Sequence, residues 1–157
     1  MTAPGKLRAP RRVVAFLIAF AVMVVLGSAA HSYFVQEAWS IAAGRADGTA
    51  PADISYAERV AWMAHDLAGM FLAYGAITSV ALCVAFLCAG ALARFTGGRV
   101  WVFGIASASA VFAIFTAARV LLGTVGIFGA RGATGLAVQM LVGSAAGVLF
   151  AKLTAPR

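Results

Sequence analysis

Four apolar runs, each about 20 residues or longer, constrain the fold of this 157-residue chain more than any other feature. A helix needs about 20 residues to cross the hydrocarbon layer of a membrane, so each run is long enough for one span. The chain is 63% apolar and only 11% charged, against about half and about a quarter in soluble domains. We therefore predict a single-domain, all-α, polytopic membrane protein, a bundle of four transmembrane helices. The predicted spans are residues 13–35, 56–93, 100–122 and 132–151.

The polar segments between the runs supply the predicted tail and loops. Residues 1–12 form a basic tail, and residues 36–55, which contain Gly44, Gly48 and Pro51 with scattered Asp and Thr, are predicted to be an exposed loop. Ser55 and Glu58 have the spacing of a capping box, which predicts that the second helix begins at Tyr56. That run continues for 38 residues, about 57 Å as a helix, so its first turns must stand outside the hydrocarbon.

The distribution of basic residues predicts the orientation in the membrane. Of the twelve Lys and Arg residues, eight lie in the tail, in the connection at residues 94–99 and at the C-terminal end. The other four lie on the opposite side together with all five acidic residues. The positive-inside rule then places both termini in the cytoplasm, as expected of a multi-pass protein in a bacterial inner membrane. Because the net charge of +7 is spread among apolar stretches, it does not indicate nucleic-acid binding.

The first run has an alternative interpretation as a cleaved signal peptide. The basic tail, the apolar stretch at residues 13–26 and the small residues up to Ala30 match such a signal. Tyr33, Phe34 and Val35 continue the apolar character beyond the cleavage position, which favours a membrane span.

Small residues in the fourth run predict close helix packing. Gly135, Gly143 and Gly147 lie on one stripe of this helix, and helices in lipid associate through such stripes. The stripe favours packing between helices three and four within the chain. Homodimerisation through the same stripe, or assembly into a larger membrane complex, is the alternative.

Ionisable side chains from all four predicted helices lie at one level near the outer membrane boundary. His31, Arg119 and Arg131 are each 19 to 21 residues, about 30 Å, from the basic residue at the inner end of their run. His65 and Asp66 lie slightly farther out, and an ion pair between Asp66 and Arg119 is expected because helices two and three are neighbours. The predicted ligand-binding residues are Asp66, Arg119, Arg131 and, some 12 Å deeper, Gln139.

This outer cluster has two interpretations. Its arginines are either anchors that reach lipid phosphates, or part of an outward-facing pocket that binds an anionic lipid headgroup or a quinone. The apolar connection at residues 120–130, with three glycines, is expected to fold back beside Arg131 and to turn backbone N–H groups toward an anion.

Cofactor and metal sites have weak support in the sequence. His31 and His65, near the outer ends of sequential helices, are the residues that bis-histidine ligation of haem b would use. Zinc would need further ligands, and only Asp66 lies beside His65. Cys83 and Cys88 form no C-x-x-C motif and are predicted to be apolar filler. We predict no resident cofactor.

Three short motifs, all in helices two to four, resemble an uncharacterised set of small bacterial four-helix membrane proteins. The resemblance implies the same topology and draws attention to His65, Asp66, Arg131 and Gln139, but it implies no activity. The motifs are His65-Asp66-Leu67-x-Gly69-Met70, Gly129-Ala130-Arg131-Gly132, and Gln139 with Gly143 and Gly147 ahead of Phe150-Ala151.

The sequence lacks the motifs of the common enzyme classes. It contains no H-E-x-x-H, no G-x-S-x-G and no Walker loop, so we predict a binding or accessory subunit that contacts membrane lipids rather than an enzyme. A redox protein that uses haem or quinone is the alternative. A small transporter is disfavoured because no acidic residue lies near the middle of a span.

Overall fold

A computed structural model describes residues 9–123 and 130–155, and this part of the chain folds into four helices and their connections. Each helix is long and apolar enough to cross a membrane, which confirms the predicted all-α, four-helix architecture. The helices are α1 (Ala9–Asp47), α2 (Tyr56–Thr96), α3 (Arg99–Leu122) and α4 (Ala133–Leu153).

The helices form a ring in which each packs against two neighbours, α1 and α3 each lying between α2 and α4. The α2–α3 connection is only Gly97 and Gly98, with φ of 66° and 55°, a left-handed region in which glycine pays no Cβ penalty. The beginning of α1 and the end of α4 meet where Arg11 Nη2 donates to the Ala155 carbonyl at 3.4 Å. We call this end of the bundle the terminal end and the opposite end, with residues 48–55, the loop end.

The helix α1 extends twelve residues beyond the predicted span, so the expected loop at residues 36–55 is wrong in its first part. Only residues 48–55 lie between α1 and α2. The reason is that Gln36, Ser40 and Gly44, spaced by four residues, are buried on one helical face. The polar residues in this segment therefore belong to a buried face of α1 and not to a loop.

The start of α2 is as predicted. The helix begins at Tyr56, where the Ser55 hydroxyl accepts a hydrogen bond from the Glu58 backbone N–H at 3.4 Å. The Glu58 carboxylate in turn accepts from the Ser55 backbone N–H at 2.9 Å, which completes the capping box. Two otherwise unpaired backbone N–H groups are thereby satisfied at an exposed helix end.

The two long helices project beyond the two short ones at the loop end. α1 and α2 have 39 and 41 residues, whereas α3 and α4 have 24 and 21. Because all four meet at the terminal end, α1 and α2 extend roughly 20 Å farther at 1.5 Å per residue. We call this extension, residues 36–66, the hairpin arm. Trp39 and Trp62 pack edge to face across it, with ring centroids 5.5 Å apart.

The core near the terminal end is an aromatic cluster. Phe86 stacks on Phe150 with ring centroids 4.1 Å apart, and Phe103 lies 5.4 to 5.7 Å from both. Phe16 of α1 meets Phe86 edge to face at 6.0 Å. Each of the four helices thus contributes one aromatic side chain to the core near the terminal end.

The α3–α4 contact depends on glycine. A Cβ on Gly147 would overlap the Phe103 carbonyl and the Ser107 side chain, and one on Gly143 would overlap Val111. Gly135, farther toward the loop end on the same stripe, is also buried. Close approach of helix backbones through small residues is the usual basis of helix association in lipid.

Candidate functional site

Three of the predicted polar residues lie near one another at the loop end. His31 of α1 and Asp66 of α2 are half-buried, and Arg131 is exposed directly before α4. Asp66 and Arg131 lie near enough to His31 to influence its imidazole electrostatically. We call His31, Asp66 and Arg131 the loop-end cluster. It draws one residue from each of three chain segments that are far apart in sequence.

Asp66 belongs to this cluster because of its face on α2. It lies seven residues, or two helical turns, after Arg59, and so it occupies nearly the same side of the helix. Arg59 contacts α1: its carbonyl accepts from Gln36 Nε2 at 3.1 Å, and its Nη1 pairs with Glu37 Oε1 at 3.1 Å. Asp66 therefore faces α1.

The predicted Asp66–Arg119 ion pair is not formed. Arg59–Glu37 is the only salt bridge among the residues that the structure describes. Arg119 is exposed on α3, the helix on the other side of α2. Helices α2 and α3 are neighbours, as expected. Asp66, however, faces α1, which is the other neighbour of α2. The predicted role of the 120–130 connection falls mainly on residues 124–129, which lie outside the described residues.

A buried polar face of α1 passes beside the cluster, from Ser28, one turn inward of His31, to Ser40 in the hairpin arm. Ser32 accepts from Gln36 Nε2 at 2.9 Å, and the Ser40 hydroxyl donates to the Ala52 carbonyl. Within residues 9–123 and 130–155, the Ser28 hydroxyl and Gln36 Oε1 are buried without a hydrogen-bond partner. The face consists of four residues spaced by four, Ser28, Ser32, Gln36 and Ser40, each 0–6% exposed.

Sequence reasoning missed this polar face although its spacing was visible. A Ser, Ser, Gln, Ser series at four-residue intervals puts all four on one side of a helix. Burying such groups without partners costs free energy, so they mark either interhelical bonds or a ligand. Ser28 is three residues before His31 and thus lies close to the loop-end cluster.

Gln139, predicted as a ligand-binding residue, lies deeper and holds three helices together. Its Oε1 accepts a hydrogen bond from the Tyr74 hydroxyl at 2.8 Å, and its Nε2 donates to the Gly27 carbonyl at 2.9 Å. Gly27 is required because a Cβ there would overlap the Tyr74 hydroxyl. Both polar atoms of the Gln139 amide therefore have partners from other helices.

The other predicted ligands are separated. His65 is exposed, whereas His31 is half-buried beside Asp66. Among the described residues no group of three or more His, Cys, Asp or Glu side chains is placed to hold a metal ion. Cys83 and Cys88 are free and exposed. Of the predicted site residues, His31 and Asp66 are thus half-buried, and His65, Arg119 and Arg131 are exposed.

No protein-family model, curated protein or solved structure matches this chain. The chemistry of the loop-end cluster therefore has to be inferred from its own residues. Arg131 carries a guanidinium, His31 an imidazole and Asp66 a carboxylate, and the Ser28 hydroxyl is a buried donor without a hydrogen-bond partner among the described residues. A guanidinium with nearby neutral donors suits a phosphate or carboxylate, since charge-assisted hydrogen bonds are the stronger kind.

Proposed function

We propose that this chain is a multi-pass protein of a bacterial inner membrane, with both termini in the cytoplasm, that acts as a binding or accessory subunit. Its loop-end cluster would bind an anionic lipid headgroup from the outer leaflet. The observation that supports this function is the position of His31, Asp66 and Arg131 at one end of the bundle, with the buried Ser28 hydroxyl one helical turn from His31 on α1.

The position of the cluster supports a headgroup as ligand. Arg131 lies two residues before the first residue of α4, at the level where the short helices end and the hairpin arm continues. In a membrane, that level is the interfacial layer in which lipid phosphates lie. The N-cap of α4, Gly132, makes no side-chain cap hydrogen bond. The first turn of α4 favours an anion, as helix N-termini do, through its backbone N–H groups and the helix dipole.

The hairpin arm supports the role of an accessory subunit. It extends beyond the short helices and exposes aromatic side chains, with Tyr56 82% and Trp39 48% exposed. Aromatic residues are enriched at the energetic centres of protein interfaces. We infer that the arm contacts a partner outside the hydrocarbon layer, and that the lipid at its base fixes its position.

Retention of phosphatidylglycerol by the purified protein tests the headgroup site. We expect Arg131→Gln to lower the retained lipid about fivefold, because one basic residue near an anionic lipid contributes about 1 kcal/mol. The control is Arg119→Gln, an exposed arginine at the same end that is outside the cluster. Native mass spectrometry after reconstitution and extraction gives the number of lipids per chain.

Two results would count against the headgroup site. If Arg119→Gln and Arg131→Gln lower the retained lipid equally, both arginines are only interfacial anchors. If purified protein shows a Soret band that is lost in His31→Ala and in His65→Ala, the redox alternative with haem b replaces our proposal.

A further inference from the structure

A groove between α1 and α4 at the terminal end, opposite the loop-end cluster, has a volume of about 400 Å³. This volume is within the range of small-ligand sites, about 300–1,000 Å³. Val14, Ile18 and Leu153 give it an apolar lining, and Arg11 and Lys152 are its two basic residues. The helix positions place Arg11 at the terminal end and Ile18 two turns deeper.

The charged side chains that line this groove, Arg11 and Lys152, are both basic. Arg11 is held beside the groove by the hydrogen bond from its Nη2 to the Ala155 carbonyl. Lys152 is exposed, and Arg12 follows Arg11 directly. All five acidic residues of the chain lie between residues 37 and 66, in the arm and its base. No acidic side chain therefore competes for the two cations of the groove.

We propose that this groove binds an anionic phospholipid from the leaflet at the terminal end. One acyl chain lies along Val14 and Ile18, and the phosphate lies between Arg11 and Lys152. Charge complementarity favours this occupant, because both charged side chains that line the groove are basic. A soluble phosphate would use the cations but would leave the apolar lining in water.

Lipid retention with a matched control variant tests the charge requirement. Wild-type protein is reconstituted with phosphatidylglycerol or with zwitterionic phosphatidylcholine and then analysed by native mass spectrometry. We expect Lys152→Gln to lower phosphatidylglycerol retention about fivefold, and Arg11→Gln with Lys152→Gln to lower it further. Arg94→Gln, an exposed basic residue at the same end but outside the groove, should change it less than about twofold.

A second variant tests the apolar part of the site and does not alter its charges. Ile18 is 42% exposed, so Ile18→Trp fills the groove from its open side without replacing a core residue. We expect this variant to lose the lipid while it keeps the wild-type helix content and thermal unfolding midpoint in lipid-free detergent. Soluble glycerophosphate, which has the headgroup but no acyl chain, should not raise that midpoint.

The outcomes separate this site from the loop-end site. If both sites exist, wild-type protein retains two anionic lipids, and Arg131→Gln and Lys152→Gln each remove a different one. Equal retention of phosphatidylcholine, unchanged retention in the Arg11/Lys152 double variant, or full protection by glycerophosphate would each overturn the groove as a phospholipid site. Loss of the lipid in Arg131→Gln alone would leave the groove unoccupied and the proposed function intact.

Discussion

At the scale of single residues, the hydrogen bonds of Gln139 show how a polar side chain is accommodated inside an apolar bundle. The amide is 1% exposed, yet its oxygen and nitrogen bond to Tyr74 and to the Gly27 carbonyl. An unpaired amide in hydrocarbon costs several kcal/mol, so satisfying both ends specifies how α1, α2 and α4 are arranged. Gln139 thus fixes the middle of the bundle.

The first prediction concerns this bond. We expect Tyr74→Phe to destabilise the protein by about 1 kcal/mol, because Gln139 loses its donor while the aromatic ring stays in place. A double-mutant cycle with Gln139→Leu should give a coupling energy of about 0.6 kcal/mol and at most about 1.7, the range found for interhelical bonds in membranes. Thermal unfolding in detergent measures both quantities.

The control for that cycle is Tyr33→Phe. Tyr33 is 50% exposed on α1, so removal of its hydroxyl should leave the unfolding midpoint nearly unchanged. Strictly additive effects of Tyr74→Phe and Gln139→Leu would show that the two side chains are energetically independent. The hydrogen bond would then form as a result of the packing and would not add to the stability of the fold.

At the scale of elements, the spans, the capping box and the glycine connection follow from local sequence. Long apolar runs, a Ser-x-x-Glu spacing and a Gly-Gly pair each act within a few residues, so their structure can be inferred without knowledge of the fold. The end of α1 could not be inferred in this way. Residues 36–47 look like a loop by composition and become helical because Gln36 and Ser40 bond to residues near the start of α2.

For the candidate site, the sequence predicts how far along the bundle each residue lies, but it does not predict which neighbouring helix the side chain faces. Counting residues from the inner basic residues predicts a common level for His31, Arg119 and Arg131, with Asp66 farther out. The rotation of each helix about its axis, which decides what a side chain meets, depends on packing that the sequence does not display. This is why the sequence predicts the wrong helix as the neighbour of the Asp66 side chain.

The second prediction tests what holds the hairpin arm together. Gln36→Leu should increase hydrogen exchange in residues 36–62, because the Arg59 carbonyl loses a buried donor. Exchange around Tyr74 should stay at the wild-type level. Glu37→Gln, which removes only the half-exposed salt bridge, should have a smaller effect, at most about 1 kcal/mol. If Glu37→Gln loosens the arm more than Gln36→Leu does, the ion pair is the principal contact.

At the scale of the whole molecule, charge and length divide the bundle into two unlike ends. The terminal end carries basic residues on every helix, whereas the loop end carries all five acids and the projecting arm. A bundle in a membrane is exposed to two aqueous compartments, and the side richer in Lys and Arg stays in the cytoplasm. The arm would then lie on the external face, with the groove and the cluster in opposite leaflets.

The last prediction tests that orientation by cysteine labelling in intact cells. Cys83 and Cys88 are exposed, so both are first replaced by alanine to give an unreactive background. Gly48→Cys, in the loop at the tip of the arm, should react with a membrane-impermeant maleimide added outside. Gly97→Cys, in the α2–α3 connection, should react only after the cells are permeabilised. Both positions are exposed with open space around them, so a difference in labelling reports the compartment and not burial. Labelling of Gly97→Cys but not of Gly48→Cys in intact cells would invert the topology and would place the arm in the cytoplasm.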